Sequence, residues 1–166
     1  MANTIDEGEL RRWVVEFFKK ADASAPVTWF LPYLAEKFHM FWTPTCQFDG
    51  HDGFAEFYRN TTGNMFNRVH EVNDVAVNMA PSRDACEVTF RIHETLNIWR
   101  PPMAKPIDAE INATFRWTMR VSPTTGIPVI VDYALTSVNF PATSIIVEAD
   151  KVFKDPVFLQ GPFSIP

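Results

Sequence analysis

The chain has 166 residues, 46% of them hydrophobic and 21% charged, which suits one folded domain with one core and excludes an intrinsically disordered chain. Its net charge is −5 and its basic residues are scattered singly or in pairs, so nothing resembles a phosphate-tracking surface and no nucleic-acid partner is expected. No apolar run is long enough to cross a bilayer, and the polar, acidic opening Met1 to Leu10 differs from a secretory signal, so we expect a soluble cytoplasmic protein whose Cys46 and Cys86 are reduced, buried thiols.

Leu10, Trp13, Val14, Phe17, Phe18 and Ala21 recur at steps of three and four between charged residues, the pattern of an amphipathic helix with one buried face. Asp22 to Pro26 breaks it, and a second helix follows with Trp29, Phe30, Tyr33, Leu34 and Phe38 on its apolar side, short or kinked because Pro32 lacks a backbone donor. His39 to Phe48 is rich in β-formers and ends at Asp49-Gly50, which predicts one strand and a turn. A third helix then carries Phe54, Phe57 and Tyr58, capped by Asp49 or Asp52 and ended at Gly63-Asn64.

From Phe66 the period becomes two, and four long strands are predicted: 66–79, 86–99, 109–121 and 128–139. The third alternates without a break from Ala109 to Val121, so one of its faces is wet. The last stretch, 140–166, is proline-punctuated and apolar in patches, which predicts a C-terminal strap belonging to the same domain as residues 1–139, either a lid over the pocket mouth or a dimer arm.

The order helix, helix, strand, helix and four long strands, with Asp49-Gly-His-Asp-Gly-Phe-Ala-Glu-Phe-Tyr58 opening the third helix and Phe66-Asn-Arg-Val-His70 opening the sheet, resembles the nuclear transport factor 2-like superfamily and within it the SnoaL-like branch. The resemblance covers residues 8–139. It implies an α+β cone: a curved antiparallel or mixed sheet, three N-terminal helices on its concave face and one central pocket. Families of this fold include ketosteroid isomerase, limonene-epoxide hydrolase, scytalone dehydratase, polyketide cyclases and binding modules without activity, so fold does not fix function. A local similarity to scytalone dehydratase implies that His70 and His93 match that family's two catalytic histidines, although its paired tyrosines have no counterpart around Trp42 and Asn112 and Thr114 replace its Ser and Asn only loosely.

A polar group among inward apolar neighbours is the informative feature of such a pocket. Glu94 is one, since Cys86, Val88, Phe90, Ile92, Leu96 and Ile98 share its side of the strand. Burial of an unpaired carboxylate raises its pKa toward the range useful for proton transfer; pairing with an Arg or His would make it structural instead. An inward Glu94 requires an outward His93 unless the strand bulges, and the sequence leaves both open. Asp132 lies in an apolar strand and either faces the pocket or pairs outward with Arg116 or Arg120. His70, with an imidazole suited to proton transfer without tuning, is the leading candidate acid or base, and Asp132 or Glu94 would orient it.

Trp29, Trp42, Phe57, Tyr58, Arg68, Asn112, Phe115 and Trp117 are the candidate substrate-binding residues, with core packing as the alternative for each ring. The chain lacks a phosphate-binding Gly loop, a Gly-x-Ser-x-Gly elbow and a His-Glu-x-x-His pair, so a site free of cofactor and metal is expected. Together these readings predict an isomerase, cyclase or dehydratase of a hydrophobic polyketide-, terpenoid- or alkaloid-type secondary metabolite, working as a homodimer. The alternative is a non-catalytic small-molecule-binding or dimerisation module.

Overall fold

The computed structural model describes residues 4–43, 46–99, 104–139 and 141. The predicted strap over 140–166 therefore lies outside the described residues, Pro141 excepted. Helix α1 spans Glu7–Asp22, α2 is the single turn Val27–Phe30, and a 3-10 turn, Leu31–Tyr33, follows it. Strands β1 (Leu34–Thr43) and β2 (Cys46–Asp49) precede α3 (Gly50–Asn64); then come β3 (Met65–Met79), β4 (Ala85–Ile98), β5 (Ile107–Val121) and β6 (Pro128–Asn139).

Local chemistry accounts for most of these bounds. Asp6 caps α1 by accepting a hydrogen bond from the Glu9 amide at 2.7 Å, while Glu7 and Glu9 in the first turn and Lys19 and Lys20 in the last suit the helix dipole. Leu10, Val14, Phe17, Phe18 and Ala21 form its buried face. Gly50 switches the chain from β2 into α3 at φ 66°, a conformation that a side chain would strain.

The six strands form one open, curved sheet in the order β2-β1-β6-β5-β4-β3, with β1 and β6 parallel and every other neighbouring pair antiparallel. The helices pack on one face, giving the α+β cone that the sequence implies. Trp117, wholly buried at the centre of that face, meets Trp13, Phe17, Phe18, Phe90 and Tyr133 with ring centroids between 4.8 and 5.9 Å away. Among the described residues no helix is long and apolar enough to cross a membrane.

Two sequence expectations need correction here. The second helix ends at Phe30 and its 3-10 extension at Tyr33, so Leu34 and Phe38 belong to β1; a strand and a separate short strand replace the single one expected over His39 to Phe48. Leu34, Phe38 and Met40 are buried in β1, whose pairing to β6 shifts register between Leu34 and His39, and a shifted strand can imitate helical spacing. The second correction concerns β6. Met119 pairs with Ile130 but Thr118 pairs with Asp132, so Val131 is an extra residue and the alternation reverses after it. Tyr133, opposite Trp117, turns into the core; Asp132, opposite Thr118 and beside His39 of β1, takes the outer face.

Candidate active site

The pairing of β4 with β5 is unbroken over all fourteen of its positions, which settles the choice between adjacent residues: Glu94 points inward with Ile92 and Leu96, and His93 points outward. His70 of β3 sits directly opposite Glu94. Arg68 joins them because residues two apart on a strand share a face; the β3–β4 register shifts by one residue beside it, between Phe66 and Val69, where Asn67 takes φ 51°.

Asp22, the last residue of α1, completes the cluster. One carboxylate oxygen accepts the His70 backbone N–H at 3.0 Å and the other accepts from the imidazole Nδ1. Arg68 Nε donates to Glu94 Oε1 at 2.8 Å. His70 Nε2 lies 3.2 Å from both Arg68 Nη2 and Glu94 Oε1. Side-chain exposure is 3% for His70, 12% for Glu94, 15% for Arg68 and 21% for Asp22, so the imidazole is sealed and the cluster meets solvent only at its margin.

Electrostatics assign the protons. Burial alone would raise the Asp22 pKa, but hydrogen bonds from the His70 ring and backbone, with the charges of His70 and Arg68, bring it below the ordinary carboxylate value. Asp22 is therefore an anion at neutral pH, and the Nδ1 nitrogen facing it carries a proton. The other nitrogen, Nε2, is left for exchange: unprotonated it accepts from Arg68, protonated it donates to Glu94. Burial opposes the charge on Arg68, yet Glu94 and Asp22 outweigh it and hold the guanidinium firmly protonated. Burial also pushes the hydroxyl pKa of Tyr133 and Tyr58 upward, against the pull of the Arg68 charge, so both remain hydroxyl donors. The Tyr58 hydroxyl donates to the Ala25 carbonyl at 2.6 Å, tying α3 to the connection between α1 and α2.

His70, Arg68 and Glu94 border a hollow of about 50 Å³ walled by rings that include Phe18, Trp42, Phe57, Phe115 and Tyr133. That volume suits a few waters, whereas sites for drug-sized ligands have roughly 300–1,000 Å³, so the walls must part to admit a larger molecule. Trp42 stacks on Phe57 with centroids 5.3 Å apart, and its indole Nε1 is buried with no hydrogen-bond partner among the described residues.

Of the residues singled out in the sequence, His70, Glu94, Arg68, Trp42, Phe57, Tyr58 and Phe115 converge on this hollow. The others do not. His93 and Asn112 bond each other at 2.9 Å on the outer face of the sheet, because strict alternation along β4 and β5 carries both away from the helices. Asp132 is outside through the Val131 bulge. Trp29 packs against Phe30 and Tyr33, with Lys20 Nζ 5.8 Å above its ring, and Trp117 is core.

Asp22 and Tyr133 line up with the site but were not singled out. Asp22 carries a faint signal, since an acid as the last residue of a helix opposes the dipole and needs a compensating partner. Tyr133 carries none, because the bulge that turns it inward leaves no mark in the residue pattern. Among the described residues no cluster of three or more His, Cys, Asp or Glu side chains is arranged to hold a metal ion.

No protein-family model and no curated protein matches the chain. Solved structures do. A candidate aromatic ring hydroxylase of Novosphingobium aromaticivorans superposes with a TM-score of 0.65 at 14% identity, over 80% of this chain and 90% of that one. A candidate scytalone dehydratase of the same organism gives 0.65 at 11% identity, over 78% and 83%. The hexachlorocyclohexane dehydrochlorinase LinA-type3 of Novosphingobium barchaimii gives 0.60 at 9% identity, over 75% and 82%. At these identities the shared property is the fold.

Proposed function

We propose that this chain, whose fold is the nuclear transport factor 2-like cone, is a lyase or isomerase that moves a proton on a hydrophobic, ring-bearing metabolite. The observation that carries this reading is the Asp22–His70 pair set against a ring-walled hollow. Asp22 fixes the imidazole tautomer with Nδ1–H toward itself and stabilises the imidazolium that forms when Nε2 takes a proton. A positioned base of this kind contributes roughly 10²–10⁴-fold to a proton-transfer step, and rings that exclude water keep the proton from leaking to solvent. The names dehydratase and dehydrochlorinase borne by two structures of the same fold both denote eliminations, the chemistry that one imidazole can start and finish by taking a proton from carbon and giving one to the leaving group.

A second reading is favoured by the hollow's small size: a binding or dimerisation module in which His70, Asp22, Arg68 and Glu94 only satisfy one another. Incubation with cyclic β-hydroxy ketones in D2O, followed by proton NMR, separates the two. Catalysis predicts protein-dependent exchange or loss of water, reduced about 100-fold or more in His70→Gln and unchanged in His93→Ala, whose ring lies on the far face of the sheet. A His70→Gln protein as active as the parent, or a parent that binds these compounds without exchanging a proton, refutes the enzymatic reading.

A further inference from the structure

Resting on that reading, we infer that Arg68 is an oxyanion-binding group, and that the substrate is a carbonyl compound whose α-carbon and oxygen bridge His70 Nε2 and the Arg68 guanidinium. Arg68 is placed for more than an ion pair. A structural partner for Glu94 needs to reach only that carboxylate, yet Arg68 also brings Nη2 to within 3.2 Å of the nitrogen that exchanges protons. Among the described residues its bonds use Nε and Nη2, and Nη1 engages no described side chain. With bond lengths of ~1.5 Å and ~1.2 Å, an α-carbon and its carbonyl oxygen lie about 2.4 Å apart. One such fragment therefore fits across the two groups, its C–H toward Nε2 and its oxygen toward the guanidinium, in place of their direct contact.

The 3.2 Å distances from Nε2 to Arg68 and to Glu94 couple the two events. In the free protein a neutral His70 accepts from Arg68; the bound substrate replaces that contact, so that Nη2 donates to its carbonyl oxygen and the Nε2 lone pair faces its α C–H. When Nε2 takes the α-proton, the C–H electron pair becomes the C=C bond of an enolate and the carbonyl π pair moves to oxygen. The new Nε2–H then has Glu94 within reach as an acceptor, and the Nη2 bond to oxygen strengthens as negative charge develops there. Charge stays balanced throughout: two carboxylates against one guanidinium leave one negative charge, and moving a proton from a neutral substrate to the imidazole leaves that total unchanged. Return of the proton to a different carbon completes an isomerisation. Its delivery to a departing β-hydroxyl, which leaves as water while the enolate collapses to an enone, completes a dehydration.

A neutral phenol copies this enol pair, and 4-nitrophenol reports its own ionisation by colour. At a pH where free 4-nitrophenol is mostly protonated, binding to the parent protein is expected to raise the ionised fraction. Arg68→Gln should lower the affinity for the ionised form about tenfold or more, the weight of a charge-assisted hydrogen bond, and Arg68→Lys should keep most of it. Nitrobenzene, which has no proton to give, should bind all three proteins alike.

Three outcomes overturn the assignment: a parent protein that leaves bound nitrophenol un-ionised, an Arg68→Gln protein that ionises it as the parent does, or nitrobenzene affinity that falls in step with it, which marks a purely structural arginine. Loss of carbon-acid exchange in His70→Gln with undiminished ionisation in Arg68→Gln would sink the arginine's role alone and leave the acid–base reading standing.

Discussion

Replacing Glu94 by Leu tests whether its pairing with Arg68 holds the site together. The change removes the carboxylate bonded to Arg68 at 2.8 Å and leaves a guanidinium only 15% exposed. Breaking a buried ion pair by deleting one partner costs about 3–5 kcal/mol, because the surviving charge is desolvated without compensation. Asp22 also acts on Arg68, so part of the compensation survives and the lower end, about 3 kcal/mol, is expected. For a chain of this length 1 kcal/mol corresponds to roughly 2–4 °C, which gives a fall in Tm of about 6–12 °C.

The double variant Arg68→Met/Glu94→Leu removes both charges and fills a similar volume; it should lie within about 1 kcal/mol of the parent, as buried pairs replaced by apolar groups do. Urea denaturation of the parent, the two single variants and the double variant closes the cycle. A Glu94→Leu protein that loses less than about 1 kcal/mol, or a double variant no better than the worse single one, would show that the two side chains do not compensate each other in a desolvated site.

Two further outcomes follow from the titrating groups. Asp22 has a folded-state pKa below its usual 3.8, so its anion stabilises the fold: the contribution is complete above that value and lost as pH falls through the lower, folded one. The stability gap between the parent and Asp22→Asn, measured from urea midpoints, should be constant from neutral pH down to about 5 and shrink below about 4; a gap that widens with acid contradicts the proton assignment at His70. Burial pushes the thiols of Cys46 and Cys86 up to about 11, so a disulfide reagent at pH 8 should label the native protein very slowly and both cysteines promptly in denaturant; rapid native labelling would mean that the core opens easily there.

The features legible in the sequence were those written in regular alternation. β5 can be read residue by residue from Ala109 to Val121, and Glu94 stood out as the carboxylate on the apolar side of β4; the pairing of these two strands with each other runs without a shift. Legibility ended at irregularities. One extra residue, Val131, exchanged Asp132 for Tyr133, and the shift within β1 made Leu34 and Phe38 look helical. Asp22 reaches His70 across 48 positions of sequence, a contact created only when α1 packs along β3. The Asp22–His70 pair therefore needed three dimensions, whereas each half of it could be named as an ionisable residue beforehand.

The parallel pairing of β1 with β6 also bears on how this chain is made. β6 lies between β1 and β5, although it is the last of the described strands to leave the ribosome. Until it emerges, no strand pairing among the described residues joins β1 and β2 to the β3–β5 meander, which can form early from near neighbours. Such distant closure raises contact order and slows folding. A stalled chain ending before residue 128 would expose the flanks meant for the missing strand, and its nascent halves would depend on chaperones to stay apart from other unfinished chains.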